Sequence, residues 1–203
     1  MTPLEKPLRT FIAVELSAPL QQAIETLTQG FKNSGADIKW VGPHNCHLTL
    51  KFLGPTRLQQ IDKIKDALHH LAQKTRPFFI SLDGCGVFPS WDEPRVIWLG
   101  VTNGSQELTQ LAQNIEEGLL RLGFSKEKRA FTSHITIGRV RSEKNLQELK
   151  KLLKDVSIEE GKIQEILSLT FFHSVLTSQG AVHQPLGVFS FAKNLTPISN
   201  SPA

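Results

Sequence analysis

Two short segments constrain this chain more than any other part of it. Residues 47–50 read His-Leu-Thr-Leu, and residues 134–137 read His-Ile-Thr-Ile. Polar and apolar residues alternate in each with a period of two, the pattern of a strand buried on one side. His47 and Thr49 therefore share one face, with Leu48 and Leu50 on the other. His134 and Thr136 are set against Ile135 and Ile137 in the same way. A chain that repeats one amphipathic strand in each half is expected to fold as two similar halves. Each half buries its apolar face and turns an imidazole and a hydroxyl outward. A lone histidine on a strand is usually structural. Two matching segments related by an approximate two-fold bring two imidazoles and two hydroxyls to one cleft.

The rest of the pattern is α+β. Leu20, Ala23, Ile24, Leu27 and Phe31 recur with helical spacing after Pro19, with Ser17 placed to cap and Gly35 to close the helix. Apolar stripes predict further helices over 57–74, 105–122 and 144–154. Extended segments are expected at 9–16, 38–41, 46–53, 77–88, 95–101, 131–140, 162–177 and 181–191. Gly54-Pro55-Thr56 reads as a breaker, and Gly84 and Gly86 as a bulge or a close backbone approach. Residues 1–192 are taken as one bilobal domain. The tail from 193 to 203, rich in Asn, Ser and Pro, is expected to fray.

Composition narrows the class. With 39% hydrophobic and 21% charged residues, the chain is neither disordered, collagenous nor coiled-coil. A net charge of +4 mildly favours anionic partners. Two cysteines, Cys46 and Cys85, make no disulfide framework, so a reducing cytoplasm is expected. The apolar stretch 10–14 is too short for a signal peptide and runs into Glu15. No segment has the length of a membrane span, and a monomer is the default expectation. His44, Cys46 and His47 do not read as a zinc site. Strand alternation turns Cys46 away from His47, and no second ligand pair has structural-zinc spacing.

The paired segments suit chemistry on a cyclic phosphodiester. One imidazole takes a proton from water as general base, and the other protonates the departing ribose oxygen as general acid. Both jobs suit a group that titrates near neutral pH. Thr49 and Thr136 can donate hydrogen bonds to non-bridging oxygens. The acid and base supply what a metal-bound water would, so no metal or cofactor is expected. Arg139, five residues after His134, is placed to pair with phosphate or stack on a base. Phe52 holds the matching place after His47 and would stack a base. Strand parity puts Phe52 on the core side unless a bulge intervenes, and puts Lys51 on the face of His47. Trp40 and Trp98 are core candidates, while Trp91, in a loop, is the tryptophan best placed for substrate contact.

At these residues the chain resembles the 2H phosphoesterases, and among them the LigT-like RNA 2′,3′-cyclic phosphodiesterases, also called 2′-5′ RNA ligases. The matching stretches are Arg9-Thr10-Phe11-Ile12-Ala13-Val14, Trp40-Val41, His47 to Gly54, Val87-Phe88-Pro89, Pro94 to Gly100 and Phe131 to Arg139. The resemblance implies two pseudo-symmetric lobes of antiparallel sheet with outer helices around a central cleft. It implies hydrolysis of a 2′,3′-cyclic phosphate to a 2′-phosphate, on RNA ends or nucleotides. It also implies His47 as general acid, His134 as general base, and Thr49 and Thr136 at phosphate-holding positions. The near-symmetry of the segments leaves acid and base unassigned by the residues themselves. Ser133 stands where relatives often have proline, and His183 where many have tyrosine; this chain has no tyrosine. Two other readings remain: 2′-5′ RNA ligation as the main activity, and a non-catalytic RNA or nucleotide binder. Two intact His-x-Thr segments favour an enzyme.

Overall fold

The computed structural model describes residues 6–156, 163–178 and 180–192; the tail from 193 to 203 lies outside them. In chain order the elements are β1 (Leu8–Glu15), α1 (Ala18–Lys32), β2 (Ile38–Trp40), β3 (His47–Thr56), α2 (Leu58–Ala72), β4 (Phe78–Phe88), β5 (Val96–Val101), α3 (Ser105–Leu120), β6 (His134–Val140), α4 (Leu146–Lys154), β7 (Ile163–Ile166), β8 (Ser168–Thr177) and β9 (Gly180–Ser190). Each helix has one apolar stripe, and that stripe is what the sheet buries: Leu20, Ile24 and Phe31 on α1; Ile64, Leu68 and Ala72 on α2; Leu108, Leu111 and Ile115 on α3; Leu146, Leu149 and Leu153 on α4. No described helix is long and apolar enough to cross a membrane.

The strands run β7-β4-β5-β6-β3-β1-β8-β9, with β2 also on β6, and the pairings are antiparallel. The order divides into two lobes. One is β3-β1-β8-β9 and the other is β7-β4-β5-β6 with β2. Their join is the β3–β6 seam, where Leu48 pairs with Ile135. Both side chains are fully buried, so each motif packs its apolar side into the common core.

The lobes repeat a finer detail. Against β1, the register of β3 steps from Thr49 opposite Ala13 to Lys51 opposite Ile12, so Leu50 is the extra residue. Against β5, β6 steps from Thr136 opposite Trp98 to Gly138 opposite Ile97, so Ile137 is the extra residue. The bulge falls three residues after the histidine in both motifs, and it reverses which way the following side chains point. Lys51 is therefore not on the face of His47, contrary to strict alternation. It is 2% exposed, and its Nζ donates to the Glu116 carboxylate of α3 and, at 2.9 Å, to the Ser125 carbonyl. Phe52 then emerges on the other face, 58% exposed.

Three boundaries also differ from expectation. Strand β3 continues through Gly54-Pro55-Thr56, because β1 still pairs with it there. Leu8 faces Thr56, and the buried hydroxyls of Thr10 and Thr56 are 2.7 Å apart. The segment expected as one strand from 162 to 177 is two, interrupted at Leu167, whose carbonyl accepts the Phe191 N–H at 2.7 Å. Strand β6 starts at His134 rather than at 131, with the Ser133 carbonyl bonded sideways to the Val101 N–H. The glycine pair in β4 behaves as read: the register shifts around Gly84, and a Cβ on Gly86 would lie 2.1 Å from the Trp98 ring.

Candidate active site

The seam sets the geometry. Continuing the antiparallel register one residue either side of Leu48 and Ile135 puts His47 across from Thr136 and Thr49 across from His134. All four side chains leave the sheet on the face opposite the buried Leu48 and Ile135, and all four are half-buried. The local two-fold passes through the seam pair, so each histidine stands across the seam from the other motif's threonine.

Each imidazole is fixed in the same way. His47 Nδ1 lies 2.8 Å from the Asn45 carbonyl and His134 Nδ1 lies 2.7 Å from the Thr132 carbonyl, in both cases two residues upstream. A carbonyl only accepts, so Nδ1 carries the hydrogen and donates it. Nε2 is left with its lone pair turned away from that bond. The strand-entry backbone thereby selects one tautomer twice.

Aromatic rings surround both histidines. His47 stacks on Phe11 at 4.8 Å and meets His183 edge-on at 5.1 Å. Phe11 in turn stacks on Phe172 at 5.0 Å and lies 6.0 Å from Phe52, forming a row across β8, β1 and β3. Phe11, Ala13 and Phe172 make a small apolar cluster of their own, separate from the main core. His134 sits edge-on to Phe88 at 5.0 Å and near Trp98 at 6.1 Å. These walls desolvate the imidazoles. Burial first, then the like charges of His183 and His134, hold His47 far below the ordinary imidazole value, at about 4. Burial also lowers His134, against the opposing effect of its bond to Thr132.

Arg139 is exposed on β6 opposite Lys39 of β2, at the place in its lobe that Phe52 holds in the other. The two walls therefore differ at their rims, aromatic on one side and cationic on the other. Trp91 is packed against the core with Lys154 5.4 Å over its ring, so it belongs with α4. Trp98, read as core, instead walls His134. The signal was its alternation with the buried Ile97 and Leu99. No local pattern marks Phe11, Phe88 and Phe172 as site residues, because only the pairing of distant strands brings them beside the imidazoles. Among the described residues no group of three His, Cys, Asp or Glu side chains is gathered to hold a metal.

A bilobal antiparallel sheet with one His-x-Thr strand from each lobe at its seam is a phosphoesterase architecture. The model of the 2′-5′ RNA ligase superfamily matches residues 16–166, and the chain belongs to that family. It is 33% identical over 182 residues to an RNA 2′,3′-cyclic phosphodiesterase of Archaeoglobus fulgidus, covering 90% of this chain and 99% of that protein. It is 35% identical over 184 residues to one of Aquifex aeolicus, covering 88% and 94%. Among solved structures it is similar to Escherichia coli LigT in apo form, with 25% identity, a TM-score of 0.73, and 93% and 100% of the two chains covered.

Proposed function

We propose that this chain hydrolyses the 2′,3′-cyclic phosphate at RNA ends to a 2′-phosphate, with His47 and His134 as its acid–base pair. The observation that carries this reading is the reciprocal seam. Two imidazoles, each fixed through Nδ1 by a carbonyl and each across the seam from the other motif's threonine, share one face of the sheet, close enough for the charge of His134 to act on His47. His134 takes the proton of the attacking water, and His47 protonates the departing 3′-oxygen. Thr49 and Thr136 donate to the non-bridging oxygens. Both rings are neutral in the empty site. The charge of the incoming phosphate raises the affinity of His47 for the proton that it later delivers. Phe52 stacks a base at one rim, and Arg139 draws the flanking phosphates at the other.

The relatives named as RNA 2′,3′-cyclic phosphodiesterases support this reading, as does the LigT crystal structure with 3′-AMP, 25% identical over 93% of this chain. The test is an RNA oligonucleotide ending in a 2′,3′-cyclic phosphate, incubated with the protein and excess EDTA. Conversion to a 2′-phosphate end is expected. Conversion only on adding metal, or a 3′-phosphate product, would refute the mechanism.

A further inference from the structure

The aromatic wall beside His47 contains a third imidazole that the acid–base pair does not use. His183 lies on β9, opposite Ser174 of β8. Its ring stands edge-on to His47 at 5.1 Å and 88°, and edge-on to Phe11 at 4.9 Å and 80°; Phe172 is 6.3 Å away. Its Nδ1 is buried and has no hydrogen-bond partner. Burial holds the ring below the ordinary imidazole value, so it is uncharged at neutral pH.

An uncharged imidazole carries one N–H. A sealed N–H with nothing to receive it is rarer and costlier in folded proteins than an under-used acceptor. The hydrogen of His183 therefore resides on Nε2, on the far side of the ring from the sealed nitrogen. This is the opposite tautomer to His47 and His134, whose hydrogens are spent on the Asn45 and Thr132 carbonyls. Of the three neutral rings, His183 alone offers a donor to an anion.

We infer that His183 binds the substrate directly, its Nε2–H donating to a non-bridging oxygen of the phosphate flanked by His47 and His134. This rests on the function proposed above. It makes the His47 side of the site a three-part anion holder of Thr49, Thr136 and His183. The contact fixes the phosphate without a permanent positive charge beside the histidine that must take up and release a proton.

The test compares wild type with His183→Phe, which keeps the ring packing and removes the donor, and with His183→Gln, which restores a donor. Binding of 2′-AMP and of inorganic phosphate is measured by calorimetry, alongside kcat and KM on the cyclic-phosphate oligonucleotide. The expected result is about tenfold weaker binding and a comparable rise in KM for His183→Phe, the loss of one hydrogen bond to a charged group. Substantial recovery is expected in His183→Gln, with thermal midpoints unchanged across the set. Nitrogen-15 NMR of the wild-type ring should report the Nε2–H tautomer, with the signal moving on phosphate addition. Equal binding by wild type and His183→Phe, or an Nδ1–H tautomer, overturns the inference while leaving the acid–base reading intact. Wild type that neither binds phosphate nor turns over substrate overturns both.

Discussion

Replacing Lys51 with methionine tests the least expected packing in the fold. The Lys51 side chain is 1% exposed and its partner Glu116 is 15% exposed. Nζ bonds both the Glu116 carboxylate and the Ser125 carbonyl. Removing one member of a buried pair typically costs about 3–5 kcal/mol. Glu116 keeps some solvent and still accepts the Glu127 N–H at 3.1 Å, and methionine refills the aliphatic part of the slot. The low end, about 3 kcal/mol, is therefore expected. For a chain of this length, roughly 2–4 °C is lost per kcal/mol, which predicts a fall in Tm of about 6–12 °C. Scanning calorimetry of Lys51→Met, Glu116→Leu and the double variant closes a double-mutant cycle. The double variant should be more stable than the two single losses added together, because no charge is left stranded. A Lys51→Met protein melting within about a degree of wild type, or strict additivity, would refute the buried-pair account.

Single replacement of His47 or His134 by alanine should lower kcat by about 10²–10⁴-fold with little change in Tm, read by single-turnover kinetics and a melting curve. Acidification should destabilise the fold. His47 is about 4 when folded and near 6.5 when unfolded, so the unfolded chain binds the extra proton below pH 6.5. Stability from this group falls between pH 6.5 and 4 by up to about 3 kcal/mol, and His47→Phe should remove most of that slope in urea titrations at the two pH values. Gly86→Ala drives a methyl into Trp98 and should shift that ring from His134, costing about 1–3 kcal/mol and lowering kcat, with tryptophan fluorescence reporting the displacement.

What was legible in the sequence was what local periodicity encodes. Leu48 and Leu50, Ile135 and Ile137, and the helical stripes all lie where their spacing puts them, because one buried face determines register over several residues. The two bulges were not legible. Leu50 and Ile137 are ordinary strand residues, and what makes each of them extra is the register of β1 or β5, far away in the chain. One skipped rung moved Lys51 into the core and Phe52 out of it. The glycine-marked irregularity in β4 was visible, since Gly84 has φ +65 and such a position favours the residue without a Cβ. The aromatic walls depend on three or four strands meeting and leave no local trace. In the sequence His183 stands out only as a departure from the resembling family, and only the fold puts its ring against His47.

The difference between the two rims bears on regiochemistry. A site with a two-fold through Leu48 and Ile135 has no inherent sense of direction. By the motifs alone, a cyclic phosphate could enter either way round and open at either ribose oxygen. A nucleotide chain does have direction, with a base on one side of its sugar and the next phosphate on another. On the function proposed above, the exposed ring of Phe52, seated beside the buried Phe11, would receive the first, and Lys39 and Arg139 the second. On that reading, substrate orientation, and with it which of two isomeric phosphates is released, would be decided by side chains that never handle a proton.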